Sequence, residues 1–87
     1  MKTTNEFKLT VDSKSINEAF CRVVVSAFVT PLDPTIEELS DLKTAVSEAI
    51  TNCIIHAYDN CDGIIRINAY LTKTSIEIEI IDYGKGI

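Results

Sequence analysis

Ile65-Arg66-Ile67-Asn68-Ala69-Tyr70-Leu71 and Ile76-Glu77-Ile78-Glu79-Ile80-Ile81-Asp82 decide the fold class, with Thr72-Lys73-Thr74 between them as a hairpin turn. Each run alternates with a period of two. Ile65, Ile67, Ala69 and Leu71 fall on one face, against Arg66, Asn68 and Tyr70 on the other. Ile76, Ile78 and Ile80 likewise oppose Glu77 and Glu79. Such alternation marks half-buried strands of an antiparallel sheet that is covered on one face.

Working back from the hairpin, residues 59–63 are rich in Asn, Asp and Gly and read as a turn. Before them Leu39, Leu42, Val46, Ile50, Cys53 and Ala57 recur at helical spacing, predicting a helix that runs to about Tyr58. Two starts compete: Asp33 as cap with Pro34 at the first helical position, or a Thr35–Glu38 capping box. An earlier helix opens at Ser15 with Glu18 three residues on, or at Ser13. Its predicted core face is Ile16, Ala19, Phe20, Val23 and Ala27, and Pro31 ends it. That phase turns Arg22 outward with Val25 and Val29 beside it, a pattern expected of a partner surface as well as of a solvated arginine. At the front, Phe7, Leu9 and Val11 alternate with Lys8 and Thr10 as a short strand. The order is β-α-α-β-β. The expected fold is an α+β two-layer sandwich, a mostly antiparallel sheet with helices on one face, forming a single domain over all 87 residues.

Composition narrows the function. The hydrophobic share of 46% and charged share of 24% are those of a globular chain. Thirteen acidic against eight basic residues give a net charge of −5, which argues against direct binding of nucleic acid. The first six residues are polar, unlike a signal peptide, and no apolar run approaches the ~18 residues of a membrane span. Cys21, Cys53 and Cys61 are odd in number and lack zinc-type spacing, so reduced thiols in a cytoplasmic protein are expected.

Two features suggest chemistry. Glu48, Asn52 and His56 stand four residues apart, one ladder roughly 120° from the middle of the apolar stripe and so expected at the core margin. A carboxylate there can polarise a hydroxyl, and an amide oxygen can ligate Mg²⁺. The same spacing also arises on ordinary solvated helix faces, and His56 near a helix end equally complements the dipole. The second feature is Asp82, which continues the face of Ile76, Ile78 and Ile80 and so ends a core-facing row in a charge. Gly84 and Gly86 follow, leaving room for a ligand against the backbone. A strand that opens into a pocket fits this pattern, as does a strand that ends at Ile81 in a turn.

Taken together, residues 48–58 resemble the N-box, and residues 82–87 the first glycine box, of the ATP-binding superfamily that unites gyrase B, Hsp90, histidine kinases and MutL. From Leu32-Asp33-Pro34-Thr35 onward the chain is most similar to anti-sigma serine kinases, and Asn17-Glu18-Ala19-Phe20-Cys21-Arg22-Val23 points to their sporulation members. The resemblance implies a Bergerat-type ATP-binding fold with ATP or ADP and Mg²⁺ as cofactors. By the same resemblance Glu48 is the general base, Asn52 the Mg²⁺ ligand and Asp82 the acceptor for the adenine amino group. Gly84 and Gly86 shape the pocket, and His56 stands at the usual N-box position beside the cofactor. Arg22 contacts the partners. Those are a sigma factor, which is sequestered, and an anti-anti-sigma protein, which is phosphorylated on serine. The family is also homodimeric, with the N-terminal strand and first helix expected at the interface.

The sequence stops at Ile87, directly after the first glycine box. The resemblance therefore implies an incomplete domain, without the lid, the second glycine box and the last strands, and with little kinase activity of its own. An exposed sheet edge over residues 75–82 is expected as well. A stress-response relative, a histidine-kinase-type ATPase domain and a purely sigma-binding module are the competing readings.

Overall fold

The computed structural model describes residues 2–56 and 63–83. Strand β1 (Asn5–Asp12) leads to helix α1 (Ile16–Phe28), a 3-10 turn (Thr30–Leu32) and helix α2 (Ile36–His56). Strands β2 (Ile64–Leu71) and β3 (Ile76–Tyr83) follow. The sheet has the order β1-β2-β3 and both pairings are antiparallel, so the expected β-α-α-β-β sandwich is the fold observed.

Register fixes what faces the helices. Leu9, Ile67 and Ile80 stand in one row across the sheet, and Val11, Ile65 and Asp82 in the next. Ile65, Ile67 and Ala69 on the central strand have no exposed surface, because β1 and β3 flank them and the helices cover them. Val46 and Ile50 of α2 and Cys21 and Val25 of α1 complete the core, with Phe7, Leu9, Leu42, Cys53, Ile78 and Ile80 around it. Each fully buried aliphatic side chain contributes about 1.5–3 kcal/mol relative to exposure. The hairpin turn is held by Thr72, whose Oγ1 accepts from the backbone N–H of Ser75 at 3.0 Å and of Thr74 at 3.3 Å. As expected, β3 forms an edge of the described sheet.

Helix α2 begins with the Thr35–Glu38 box. The Thr35 N–H donates to Glu38 Oε1 at 2.9 Å and the Glu38 N–H to Thr35 Oγ1 at 3.0 Å. Asp33, the rival cap, instead takes a left-handed conformation with φ 51° at the corner between the 3-10 turn and α2. The predicted Ser15–Glu18 box does not form. Ser15 is itself helical, with φ −59°, and makes no side-chain capping bond. Asn17 anchors the helix start instead, its Nδ2 donating to the Asp12 carbonyl at 2.8 Å.

Helix α1 is turned over relative to expectation. Cys21, Val25 and Val29 are buried at 0–2% exposure, whereas Ile16, Phe20 and Val23 stand 79%, 49% and 63% exposed. Ala19 and Ala27 are exposed as well. The two sets lie about 180° apart at ~100° per residue, so this helix is apolar on both sides. Packing selects the slimmer set, since α1 must approach both α2 and the sheet there. The bulkier Phe28 reaches β1 at the helix end, its ring edge-on to Phe7 at 4.7 Å. Val25 and Val29 are therefore core residues, not outward neighbours of Arg22.

Candidate functional site

Asp82 sits where the core row of β3 runs out beneath the C-terminal half of α2. Its register partner Ile65 is fully buried, and Asp82 itself is partly buried. Its Oδ1 has no solvent exposure and no hydrogen-bond partner among the described residues. A carboxylate oxygen in that state calls for a donor from outside the described residues. Cys53 lies close by on α2. Burial pushes its thiol up, and the negative charge of Asp82 pushes it further, so the thiol stays neutral beside the carboxylate. Tyr83 points to the opposite sheet face, where the Arg66 guanidinium lies 5.6 Å from its ring centre. Arg66 Nε in turn donates a long bond to Thr10 Oγ1 at 3.5 Å. The β2–β3 register, which pairs Asp82 with the buried Ile65, puts Asp82 on the inward face.

Glu48 and Asn52 lie one turn apart on α2, as the ladder predicts, but both are exposed instead of resting at the core margin. The predicted stripe through Val46 and Ile50 is the one buried, and a position about 120° from its middle lies beyond the margin that the described sheet and α1 cover. His56 is the last residue of α2, and its side chain lies outside the described residues. Gly84 and Gly86 lie outside them too. Among the described residues no group of three His, Cys, Asp or Glu could hold a metal ion. The exposed Asn52 amide suits the other manner of Mg²⁺ binding, in which one or two protein oxygens are completed by water and phosphate.

Arg22 is half-exposed, not fully outward. It lies about 60° from the centre of the buried stripe, with its Nε 3.5 Å from Glu18 Oε2. The same Oε2 accepts no hydrogen bond, so the contact is an ion pair at long range. Arg22 also lines a groove of about 300 Å³ between the helices together with Ser40, Lys43, Thr44, Ser47 and Glu48.

Two features here escape a reading by residue pattern, and a third could have been found. Cys53 registers only as a member of the apolar stripe, although it flanks Asp82. The Arg66–Tyr83 contact needs the β2–β3 register. The groove residues carry a visible signal, since Ser40 and Thr44 extend the Glu48–Asn52–His56 ladder backward by two turns.

Comparison with known proteins identifies the family. Residues 12–87 match the Histidine kinase-like ATPase domain family. The chain is 60% identical over its full length to the Anti-sigma F factor of Thermoanaerobacter sp. (strain X514), covering 61% of that protein. Identity and coverage are the same for the Anti-sigma F factor of Caldanaerobacter subterraneus subsp. tengcongensis. For that of Clostridium botulinum (strain Alaska E43 / Type E3), identity is 58% over 84 residues, 95% of this chain and 59% of the relative. The chain thus spans about three-fifths of the length of the curated relatives it matches. With its two-layer fold and that match over most of its length, the chain belongs to the Histidine kinase-like ATPase domain family.

Proposed function

We propose that this chain supplies the base-binding half of an ATP site in a sporulation-type anti-sigma factor. That factor sequesters its sigma factor and phosphorylates a serine of its anti-anti-sigma partner. The observation that carries the reading is the buried Oδ1 of Asp82, which has no partner among the described residues. An exocyclic amine of adenine is the donor it lacks, whereas guanine presents a carbonyl at the corresponding position and would set oxygen against oxygen. Gly84 and Gly86 leave room for the base, and His56 stands at the same end of α2 as a cofactor-binding residue.

In the transfer, the acceptor serine oxygen attacks the γ-phosphorus of ATP and the bond to the ADP leaving oxygen breaks. Glu48, exposed on α2 and open to a docked partner, takes the serine proton. Asn52 offers its amide oxygen to Mg²⁺, which neutralises phosphate charge when bound. Arg22 presents a cation to the sigma factor and to the anti-anti-sigma protein. The apolar stripe Ile16–Phe20–Val23 on the outer side of α1 supports a homodimer, because side chains of that size exposed in one row favour a partner.

The test is isothermal titration of the full-length protein with Mg²⁺-ADP and Mg²⁺-GDP, wild type against Asp82→Asn. The proposal expects ADP to be preferred at least tenfold and the substitution to weaken ADP by about 2 kcal/mol. Equal affinity for the two nucleotides in the wild type would remove Asp82 from the role.

A further inference from the structure

We infer that the groove between α1 and α2 seats an acidic stretch of the phosphoacceptor protein, and that Lys43 determines specificity for it. The inference rests on the kinase reading above and adds the feature of the substrate that is recognised.

The argument begins with where the cations are. Across the whole of α1 and α2 the only Lys or Arg residues are Arg22 and Lys43. Both line the same groove, on a chain whose net charge is −5. Lys43 is exposed and has no ion pair among the described residues. Arg22 is engaged with Glu18 only at 3.5 Å, without a hydrogen bond to that oxygen, so it can exchange to an incoming carboxylate.

The remaining lining describes the shape of the guest. Ser40, Thr44 and Ser47 add three hydroxyls along two turns of α2, a path of about 10 Å. Such an elongated array suits an extended polypeptide better than a single phosphate ion, which would need its donors gathered at one point. The groove also has a direction. Ser40, Thr44 and Glu48 occupy successive turns of one ladder, and Asn52 follows on the next. A chain lying along the hydroxyls therefore arrives at Glu48, where the acceptor serine must present its proton. A negatively charged residue some 5–10 Å from the serine would face Lys43 one to two turns before Glu48. Electrostatic complementarity of this kind selects partners and raises the association rate.

Lys43→Glu and Lys43→Gln in the full-length protein test this, with the anti-anti-sigma protein as acceptor and saturating ATP. The KM for the acceptor should rise about tenfold for Lys43→Glu and two- to threefold for Lys43→Gln, while kcat and the KM for ATP stay unchanged. Raising the salt should narrow the gap between wild type and variant. Acceptor variants with single acidic residues changed to Lys should include one that restores the KM of Lys43→Glu. An acceptor KM within twofold of wild type in both variants would overturn the inference, as would an effect on kcat alone. Binding of fluorescein-labelled acceptor to the same proteins without ATP separates the two readings. Lys43-dependent binding with no phosphoryl transfer by the wild type would refute the kinase reading and leave the groove standing. Binding indifferent to Lys43 would refute the groove.

Discussion

Val25→Ala and Val23→Ala form a matched pair that tests the orientation of α1. The two positions are two residues apart on one helix, and the substitutions remove the same atoms. Val25 is 1% exposed and Val23 63%. At Val25, loss of two methyl groups forfeits about 1.6 kcal/mol at ~0.8 kcal/mol per carbon. Incomplete collapse of the cavity raises this to about 2–3 kcal/mol. Better helix propensity of alanine returns roughly 0.5 kcal/mol, leaving a net loss of about 2 kcal/mol. At Val23 little burial is lost, and the propensity gain leaves the protein unchanged or up to about 0.5 kcal/mol more stable. Urea unfolding followed by far-ultraviolet circular dichroism reads both. With a slope of about 1 kcal/mol per molar, expected of a domain this small, the Val25→Ala midpoint should fall by about 2 M. Each curve should be recorded at two protein concentrations, since an interface on the outer stripe would make any loss at Val23 depend on concentration. A concentration-independent loss at Val23 as large as that at Val25 would refute the orientation described above.

Three further outcomes are expected. Asp82→Asn should keep or slightly raise the stability of the nucleotide-free protein, because an unpaired buried charge becomes a neutral amide; a loss above about 1 kcal/mol in urea unfolding would show that Asp82 has an internal partner. Thr35→Ala should cost about 1 kcal/mol by removing one half of the α2 capping box, and a double-mutant cycle with Glu38→Ala should show coupling between the two. The thiols of Cys21 and Cys53 are raised by burial first, and by the carboxylates of Glu18 and Asp82 second. Their contribution to stability is therefore full below the ordinary thiol value of 9.0 and is lost as pH rises through the higher folded values. Urea midpoints between pH 8 and 10.5 should fall, and should fall less in Cys21→Ala.

Much of the fold is legible in the sequence where a single pattern acts alone. The alternation of Ile65–Leu71 and Ile76–Ile80 and the long stripe of α2 each have one physical outcome and formed as expected, and of the two starts that compete for α2 the Thr35–Glu38 box is the one formed. Helix α1 was not legible in this way because two apolar stripes compete on it. Hydrophobicity favours the bulkier Ile16, Phe20 and Val23, while the close approach of three elements favours Cys21, Val25 and Val29. Of the candidate site, Asp82 was readable because a charge interrupts a core row. The solvent-facing ladder of Glu48 and Asn52 was readable only as a spacing: the stripe sets its angle to the core, but how far cover extends around α2 depends on the neighbouring elements. Cys53 and Lys43 acquire meaning only from neighbours that are distant in sequence.

The placement of β2 at the centre of the sheet sets the order of folding. Its partner β3 follows after a four-residue turn, whereas β1 pairs with it across more than fifty residues, from Val11 to Ile65. During synthesis β1 and both helices leave the ribosome before the strand that unites them exists, so no native sheet pairing can form until the hairpin has emerged. Closing that long loop costs more entropy than closing the hairpin, so the hairpin should form first and β1 should dock after the rate-limiting step. Substitutions in the hairpin, such as Ile67→Val, should then slow refolding, while Leu9→Ala in β1 should chiefly speed unfolding. Until β2 and β3 are made, the Cys21–Val25–Val29 side of α1 has no sheet to bury against, which leaves the nascent protein in need of protection.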